Sequence, residues 1–371
     1  MRFIIFATIF FTVMTLLTLL ISRRFIRKLH IPNKLKKAIN IFLAINLLGV
    51  LAYMFARYEV DVPNWLYFLL SLPIGVIFLF FATTIIYEII SHLPKIHKDE
   101  KRRDFFKKSI DIASLTFATA ITAKAIDNAR HIEIEKIDVK INGLKKSFKM
   151  IQLSDVHIGG LIDRDFIKNM VETVNELKPD LVVITGDLVD TKLQYAKPAF
   201  NELANLQSQY GTFFIVGNHE YFHGVNEIMD YARTLGIKVL ENENVFIGQD
   251  DIGFNLAGVY DVMGNRIGAL KPDIKKALEN KKDAPTVLLA HQPRFLNDLE
   301  TTKGIDLVLC GHTHGGQIIP FNFLVKLQQP YVRNLNQHNE FTQVYVNKGT
   351  GFWGPPMRLG ASSEITVLTL S

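Results

Sequence analysis

Long apolar runs and short ones divide the chain into two regions. The first 130 residues contain long, nearly uncharged runs, whereas residues 131–371 show short apolar runs that each end in polar residues. A run of about 20 apolar residues is long enough to cross a bilayer, and runs of about 4 to 8 are typical of buried strands. We therefore predict a transmembrane region over residues 1–130 and a single domain over residues 131–371.

Three long runs each predict a membrane-spanning helix. They are Met1–Ile21, Ala38–Ala56 and Trp65–Ile90. Each is about 19 to 26 residues long, which is enough for a hydrocarbon core of about 30 Å. The first run is too long for a secretory signal peptide, whose apolar part has about 7 to 15 residues.

A fourth segment, Ser109–Ile126, is less apolar. It is rich in Ala, Thr and Ser and has Asp111 and Lys124 near its ends. The preceding KRRDFFKK resembles the twin-arginine export motif, although Lys101 stands where Ser or Thr is usual. The alternatives are a fourth span, a solvated amphipathic helix, and a leader cleaved after the small residues Ala123–Ala125. We predict that this segment crosses the membrane.

The charges of the linkers predict the orientation. Ser22–Lys37 has seven basic residues and no acidic one, and Ser91–Lys108 is again basic, whereas Arg57–Asn64 has one basic and two acidic residues. Basic linkers stay in the cytoplasm. With four spans, both termini and residues 131–371 would lie outside the cytoplasm, in a multi-pass protein of the cell membrane.

The net charge of +6 reflects this division of the chain. Lys and Arg outnumber Asp and Glu by 18 to 8 in residues 1–130, whereas the remainder has 24 against 28. The positive excess is therefore explained by topology, and we expect no nucleic-acid partner. The single cysteine, Cys310, excludes an intrachain disulfide and lies in an apolar run typical of a buried strand.

The pattern of residues 131–371 predicts strands that alternate with helices. Helix-like stretches are Arg164–Leu177, Lys197–Gln207 and Asn226–Leu235. This alternation indicates an α/β domain whose ligand site lies beyond the carboxyl ends of its strands. The strand-like runs with their polar ends are Ile132–Ile141, Lys149–His157, Asp180–Asp187, Gly211–Glu220, Phe254–Asp261, Thr286–Pro293 and Ile305–His314.

Carboxylate, carboxamide and imidazole side chains follow these runs. Oxygen and nitrogen donors without thiolates suit Mn²⁺, Fe or Zn²⁺ and argue against a structural zinc site. Two histidines separated by one residue in an extended turn point to the same side, so they could serve neighbouring ions. The donors are Asp155, His157, Asp187, Asn218, His219, His291, His312 and His314.

Five motifs resemble those of the calcineurin-like metallophosphoesterase family. The resemblance covers nearly all of residues 148–371, and the ending KGTGFWGPPMRLGASSEITVLTL is similar to the membrane-associated bacterial subgroup. Its implied fold is a four-layer α/β sandwich, two mixed sheets flanked by helices, which the periodicity does not show. The motifs are SDVH (Ser154–His157), GDLVD (Gly186–Asp190), GNHE (Gly217–Glu220), AHQP (Ala290–Pro293) and GHTHGGQ (Gly311–Gln317).

The resemblance also implies roles for individual residues. His219 would contact the phosphate and protonate the leaving oxygen, and Asp190 would orient His219. Two divalent ions are implied; Mn²⁺ is the expected metal, with Fe and Zn²⁺ as alternatives, because oxygen donors are mixed with imidazole. Asp155, His157 and His314 would hold one ion, Asn218, His291 and His312 the other, and Asp187 would bridge both.

The implied function is hydrolysis of a phosphomonoester, phosphodiester or pyrophosphate by a metal-bridging hydroxide. The substrate would be a phosphorylated small molecule or lipid. One alternative is a lipid pyrophosphatase of the UDP-diacylglucosamine type, which the predicted topology opposes because that reaction is cytoplasmic. A non-catalytic membrane sensor is another, although every expected ligand position is filled. A metallo-β-lactamase fold needs a His-x-His-x-Asp-His run, whereas Gly315 and Gly316 follow His314.

Overall fold

The structure, a computed structural model, describes residues 2–59, 62–92, 99–249 and 252–371. It divides into two compact units. A helical unit comprises Met1–Asn128 and Gly354–Leu359, and a sheet unit comprises Ala129–Trp353 and Gly360–Ser371. Asp61, Lys95 and Lys98, which contribute to the charge pattern of the linkers, lie outside the described residues.

Within the described residues, the helical unit contains four helices that are long and apolar enough to cross a membrane. The candidate spans are Ala7–Lys28, Asn33–Ala56, Asn64–Ile90 and Glu100–Asn128. The helices themselves are α1 (Arg2–Leu20), continued by a π turn (Ile21–Phe25) and a 3₁₀ turn (Ile26–Lys28), α2 (Asn33–Glu59), α3 (Asn64–Ile90) and α4 (Glu100–Asn128).

Helix α4 begins earlier than the apolar segment Ser109–Ile126 that predicts it. The twin-arginine-like flank is helical, because Lys and Arg favour helix and pair with acidic residues one turn away. Arg103 Nη2 lies 3.2 Å from Glu100 Oε1, and Lys108 Nζ lies 2.8 Å from Asp104 Oδ2. The apolar segment is thus the second part of one continuous helix.

A buried carboxylate connects α4 with two other parts of the helical unit. Asp111 is 1% exposed and accepts a hydrogen bond from the Tyr87 hydroxyl at 2.7 Å. It also accepts from the backbone N–H of His30 at 2.6 Å, and His30 Nδ1 lies 2.9 Å away. A buried charge is tolerated only when it is hydrogen-bonded, so Asp111 links α4 to α3 and to the segment after α1.

The short segment Gly354–Leu359 packs within the helical unit although it is distant in sequence. Arg358 N–H donates to the Ala125 carbonyl at 2.7 Å, and Asn128 Nδ2 donates to the Arg358 carbonyl at 3.1 Å. Met357 packs so closely on Gly75 that a Cβ there would lie 2.2 Å from its sulfur. The chain therefore returns to the helical unit near its C-terminus.

The sheet unit contains two mixed six-stranded sheets. In the first, β2 to β5 run parallel, and β12 is antiparallel to β2 and parallel to β1. With strands numbered in chain order, its spatial order is β1 (Ile132–Val139), β12 (Ser363–Leu370), β2 (Phe148–Leu153), β3 (Leu181–Thr185), β4 (Thr212–Ile215) and β5 (Lys238–Val239).

The second sheet has a parallel centre and antiparallel edges. Strands β11, β9, β8 and β7 are parallel, whereas β10 and β6 run antiparallel to their neighbours. Its spatial order is β10 (Asn334–Gln337), β11 (Gln343–Val346), β9 (Leu307–Cys310), β8 (Thr286–Leu289), β7 (Ile252–Gly258) and β6 (Glu243–Gln249).

The two sheets pack face to face, with helices on both outer surfaces. Met150 and Val183 of the first sheet share a buried cluster with Leu289 and Leu309 of the second. The neighbouring residue Val308 points to the opposite face, where it packs with the short helix Ile274–Ala277 and the 3₁₀ turn Pro293–Asp298. The predicted α/β four-layer sandwich is confirmed. The helices of this unit are α5 (Arg164–Glu176), α6 (Leu193–Phe200), α7 (Asn218–His223), α8 (Val225–Thr234), α9 (Met263–Ile267), α10 (Ile274–Ala277) and α11 (Asn322–Val325).

One predicted helix has different bounds in the structure. Lys197–Gln207 is instead the end of α6 followed by a 3₁₀ helix, Asn201–Asn205. Pro198 lies inside α6, where it removes one hydrogen bond to the preceding turn, and the chain changes to the 3₁₀ conformation after Phe200.

Candidate metal centre

The predicted donors lie where parallel strands of both sheets end. Asp155, Asp187, His291 and His312 each stand two residues beyond the last residue of a strand, namely β2, β3, β8 and β9. Parallel strands end at the same edge of a sheet, and the two sheets face each other. The fold therefore brings the loops of both sheets to one place.

The first group of donors consists of Asp155, His157 and His314. One ligating atom of each lies within 4.8 Å of the others, and all three side chains are buried. His157 Nε2 is 3.0 Å from His314 Nε2, and the latter is 3.4 Å from Asp155 Oδ1. Two imidazole nitrogens at this separation suit ligands of one ion, to which each would bond at about 2.0 to 2.1 Å. These residues fit a divalent metal.

The second group consists of Asp187, His291 and His312, again within 4.8 Å of one another. His291 Nε2 is 3.1 Å from Asp187 Oδ2. On the other side of the ring, Nδ1 lies 2.7 Å from the Thr185 carbonyl, which can only accept a hydrogen bond. Nδ1 therefore carries a proton, and Nε2 is the nitrogen that would bind a metal. Although burial opposes it, Asp187 raises the pKa of His291 well above its usual range, so a metal ion would replace the proton that Nε2 otherwise holds.

Asp187 belongs to more than one group. Its carboxylate also joins His157 and His219 within 4.8 Å, and its Oδ1 accepts the backbone N–H of His219 at 2.8 Å. The neighbouring Asn218 is the first residue of α7 and is buried, with its Oδ1 3.4 Å from Gln292 Nε2. Asp187 thus lies between the two groups. Asn218 lies beside Gln292, which follows His291 in the chain.

His219 faces this cluster from α7. Its Nδ1 lies 2.6 Å from Asp190 Oδ1, and its Nε2 lies 3.9 Å from Asp187 Oδ2. The Trp353 ring packs edge-on against the His219 ring, with 5.9 Å between the ring centroids. His223, which the sequence motifs do not select, lies 3.4 Å from the same Asp190 oxygen through its Nε2.

Burial and neighbouring charges perturb the titration of the donors. Burial raises the pKa of Asp155 to about 6. Burial acts in the same direction on Asp187, but His291 and His219 outweigh it and hold the pKa of that carboxyl well below its usual range. Burial, together with His291, lowers the pKa of His312 to about 3, so this imidazole is neutral and able to bind a cation.

Three supporting residues were not predicted from the sequence. Glu220 is fully buried and accepts from the backbone N–H of Asp187 at 3.1 Å and of Gly217 at 2.7 Å. Asp261 accepts from Gln292 Nε2 at 2.9 Å. Glu220 and Gln292 lie inside the quoted motifs, and Asp261 ends a strand-like run. These positions in the sequence were the signal that could have indicated their place beside the donors.

Comparisons with known proteins place this geometry among metallophosphoesterases. Residues 148–316 match a family model described as calcineurin-like phosphoesterase. The chain is 35% identical over 379 residues to an uncharacterized metallophosphoesterase of Campylobacter jejuni, covering 100% of this chain and 99% of the relative.

Two further relatives match this chain over only part of their own length. An uncharacterized metallophosphoesterase of Helicobacter pylori is 44% identical over 239 residues, which is 64% of either chain. The chain thus matches slightly less than two thirds of that relative. A Bos taurus protein named transmembrane protein with metallophosphoesterase domain is 41% identical over 235 residues, covering 60% of this chain and 53% of the relative.

Proposed function

Because the chain belongs to the calcineurin-like metallophosphoesterase family, we propose that it is a membrane-anchored hydrolase with a dinuclear metal centre. The observation that carries the proposal is the shared carboxylate. Asp187 takes part in a donor group with His291 and His312 and in another with His157 and His219. A single carboxylate between two clusters is the arrangement expected of a bridging ligand.

The proposed ligand sets follow the two groups, with Asn218 added to the second because the family resemblance implies it. Asp187 would contact both ions. Two divalent ions bound here supply a hydroxide near neutral pH and stabilise phosphoryl oxygens. Mn²⁺ is the proposed native metal, with Fe and Zn²⁺ as alternatives, because carboxylate and carboxamide oxygens are mixed with imidazole. We assign Asp155, His157 and His314 to one ion and Asn218, His291 and His312 to the other.

His219 is proposed as the general acid. Its Nδ1–H would donate a hydrogen bond to Asp190 Oδ1, 2.6 Å away, which fixes the ring orientation and stabilises the protonated form. Its Nε2 then points towards the donor cluster, where it can deliver a proton to the leaving oxygen. Asp190 is a positioning residue, because it acts through His219.

The proposed substrates are phosphomonoesters, phosphodiesters or pyrophosphates, carried by a small molecule or a lipid. A lipid pyrophosphatase of the UDP-diacylglucosamine type is an alternative, which a catalytic domain outside the cytoplasm would oppose because that reaction is cytoplasmic. A non-catalytic membrane sensor is the alternative from another class. The presence of all six proposed Asp and His donors in compact groups, with Asn218 buried beside Gln292, favours catalysis.

Hydrolysis by the full chain in detergent tests the proposal. The protein is stripped with a chelator and assayed against a monoester, a diester and a pyrophosphate, before and after addition of Mn²⁺, Fe²⁺ or Zn²⁺. We expect no turnover without metal and turnover of at least one class after metal is added. A folded protein that binds metal yet cleaves none of the three classes would support the sensor instead.

We further propose that the phosphoesterase domain, residues 131–371, lies outside the cytoplasm after a membrane region of residues 1–130. The basic linkers and the four candidate spans support this orientation, and the compact units divide at Asn128 and Ala129. A reporter active only in the cytoplasm should be silent after Ser371 and active after His30. Activity after Ser371 would contradict the orientation.

A further inference from the structure

An exposed apolar surface follows directly after the metal-binding loop of His314. We call residues 318–327, which include α11, the apolar loop. Contiguous exposed apolar surface is typical of sites that contact a membrane or another protein. The exposed side chains are Ile319, Phe321, Phe323, Leu324 and Leu327, with exposed fractions of 43%, 46%, 65%, 54% and 81%.

The apolar loop is held in a fixed conformation. Phe321 N–H donates to the Ile318 carbonyl at 2.8 Å, and Leu324 N–H donates to the Phe321 carbonyl at 2.9 Å. The backbone of Asn322 packs against Gly316, where an added Cβ would lie only 2.4 Å from its Cα. The apolar side chains are therefore presented outward by a folded turn that is attached to the loop carrying His314.

A further exposed aromatic residue, Trp353, is joined to this surface. Gln317, one residue before the apolar loop, donates through Nε2 to the Trp353 carbonyl at 2.9 Å. In return, Trp353 N–H donates to Gln317 Oε1 at 3.0 Å. Trp353 is 43% exposed. This pair of hydrogen bonds fixes the backbone of Trp353 beside the start of the apolar loop.

The charges around the apolar loop suit the surface of a membrane. Residues 317–333 contain Lys326 and Arg333 but no Asp or Glu. Basic side chains beside apolar ones are attracted to anionic lipid headgroups, and tryptophan favours the membrane interface.

The chain brings a bilayer within reach of the sheet unit. The fourth candidate span ends at Asn128 and β1 begins at Ile132, so three residues connect them. A connection of this length extends over at most about 10 to 15 Å. Trp353 is followed directly by Gly354–Leu359, which belong to the unit that contains the spans. The sheet unit is therefore tethered close to any membrane that these helices cross.

We propose that the apolar loop inserts into the surface of the bilayer crossed by the four helices, and that lipid covers its exposed side chains. The proposal rests on the helices being membrane spans and not on hydrolytic activity. A second copy of the chain is the competing occupant.

Spin labels on the full chain in phospholipid nanodiscs test this proposal. Cys310 is the single cysteine and is buried, so one introduced cysteine can be labelled alone. Phe323→Cys and Leu327→Cys probe the loop. The matched control is Ile252→Cys, which is 46% exposed at the amino end of β7, opposite the edge that carries the donors.

Collisions with oxygen, which partitions into lipid, are compared with collisions with a water-soluble nickel chelate. We expect oxygen to relax the labels at positions 323 and 327 more than nickel does, and the reverse at position 252. Nickel dominating at all three positions would overturn the proposal. Shielding of positions 323 and 327 from both reagents would also overturn it, because protein would then cover the loop.

Discussion

At the scale of single residues, the metal centre depends on unusual backbone conformations. Asp155, His157, Asp187, His312 and His314 all have positive φ angles, between 49° and 70°. Residues other than glycine rarely adopt this left-handed region, at a cost of about 1 to 3 kcal/mol each. The surroundings hold them there: the N–H of His312 donates to both oxygens of Asp155, at 3.0 and 2.9 Å.

Close packing around the donors makes one glycine sensitive to substitution. A Cβ at Gly311 would lie 1.9 Å from Ser154 Oγ and 2.2 Å from Asp155 Oδ2, so Gly311→Ala must displace that carboxylate. We predict at least a tenfold loss of metal affinity, equivalent to about 1.4 kcal/mol. Metal titration of the folded variant measures it. Gly159→Ala is the control, because its Cβ would meet nothing closer than 3.7 Å; equal losses in both variants would refute the steric reason.

His219 should differ from its neighbour His223, although both lie near Asp190. We predict that His219→Ala keeps its metal and loses about 10² to 10⁴-fold in turnover, the usual contribution of a positioned general acid. The loss should be largest for alkyl esters, whose leaving group needs a proton, and smallest for nitrophenyl esters.

Steady-state rates with the two classes of ester measure this difference. His223→Ala should change them little. Equal slowing of both ester classes in His219→Ala would contradict the general-acid role. His219 would then be a phosphate-binding residue only. Loss of bound metal from this variant would place His219 among the ligands.

At the scale of elements, the apolar pattern predicts β1 and the strands that precede the donors and Asp261, and it misses β5, β6, β10, β11 and β12. Strands β3, β4, β8 and β9 are buried along their whole length, so their sequences are continuous apolar runs. The edge strand β10, with the sequence NLNQ, is mostly polar and partly exposed, and β5 has only two residues. Short or polar edges carry no periodic signal, which explains why β5 and β10 were not predicted. The inner strands β11 and β12 were also missed, although they are mostly buried.

The supporting contacts of the site were also beyond sequence reasoning. Glu220 acts on backbone N–H groups of Asp187 and Val189, more than thirty residues away. The Trp353 ring packs against the His219 ring although the two residues are far apart in the sequence. Backbone partners have no side-chain signature, so such roles become visible only when the loops are assembled.

Asp111 is the element-scale contact with the clearest energetic consequence. We predict that Asp111→Ala lowers the free energy of unfolding in mixed micelles by at least about 2 kcal/mol, because it leaves the buried Tyr87 hydroxyl and the backbone N–H of His30 without their acceptor. Denaturant titration measures the change. The exposed Asp104→Ala on the same helix should stay within about 0.5 kcal/mol of wild type. A similar change in both variants would mean that burial of Asp111 has no special role.

At the scale of the whole molecule, the sequence separates a membrane region from a phosphoesterase domain, but it cannot identify the metal or the substrate. The composition of residues 1–130 reflects a lipid environment, which imposes a strong pattern on the chain. The metal centre imposes a different pattern on the sequence, in which donor side chains stand just after the strands. Mn²⁺, Fe²⁺ and Zn²⁺ accept similar donors, so their selection depends on geometry and supply, which residue types do not encode.

The number of divalent ions bound per chain tests the central claim most directly. The full-length protein is dialysed against Mn²⁺, freed of unbound metal, and analysed by elemental mass spectrometry beside Asp187→Ala. We predict two ions per wild-type chain, and clearly fewer in the variant because its bridging carboxylate is missing. A folded wild-type chain that binds no ion, or a variant that retains both, would contradict the dinuclear centre.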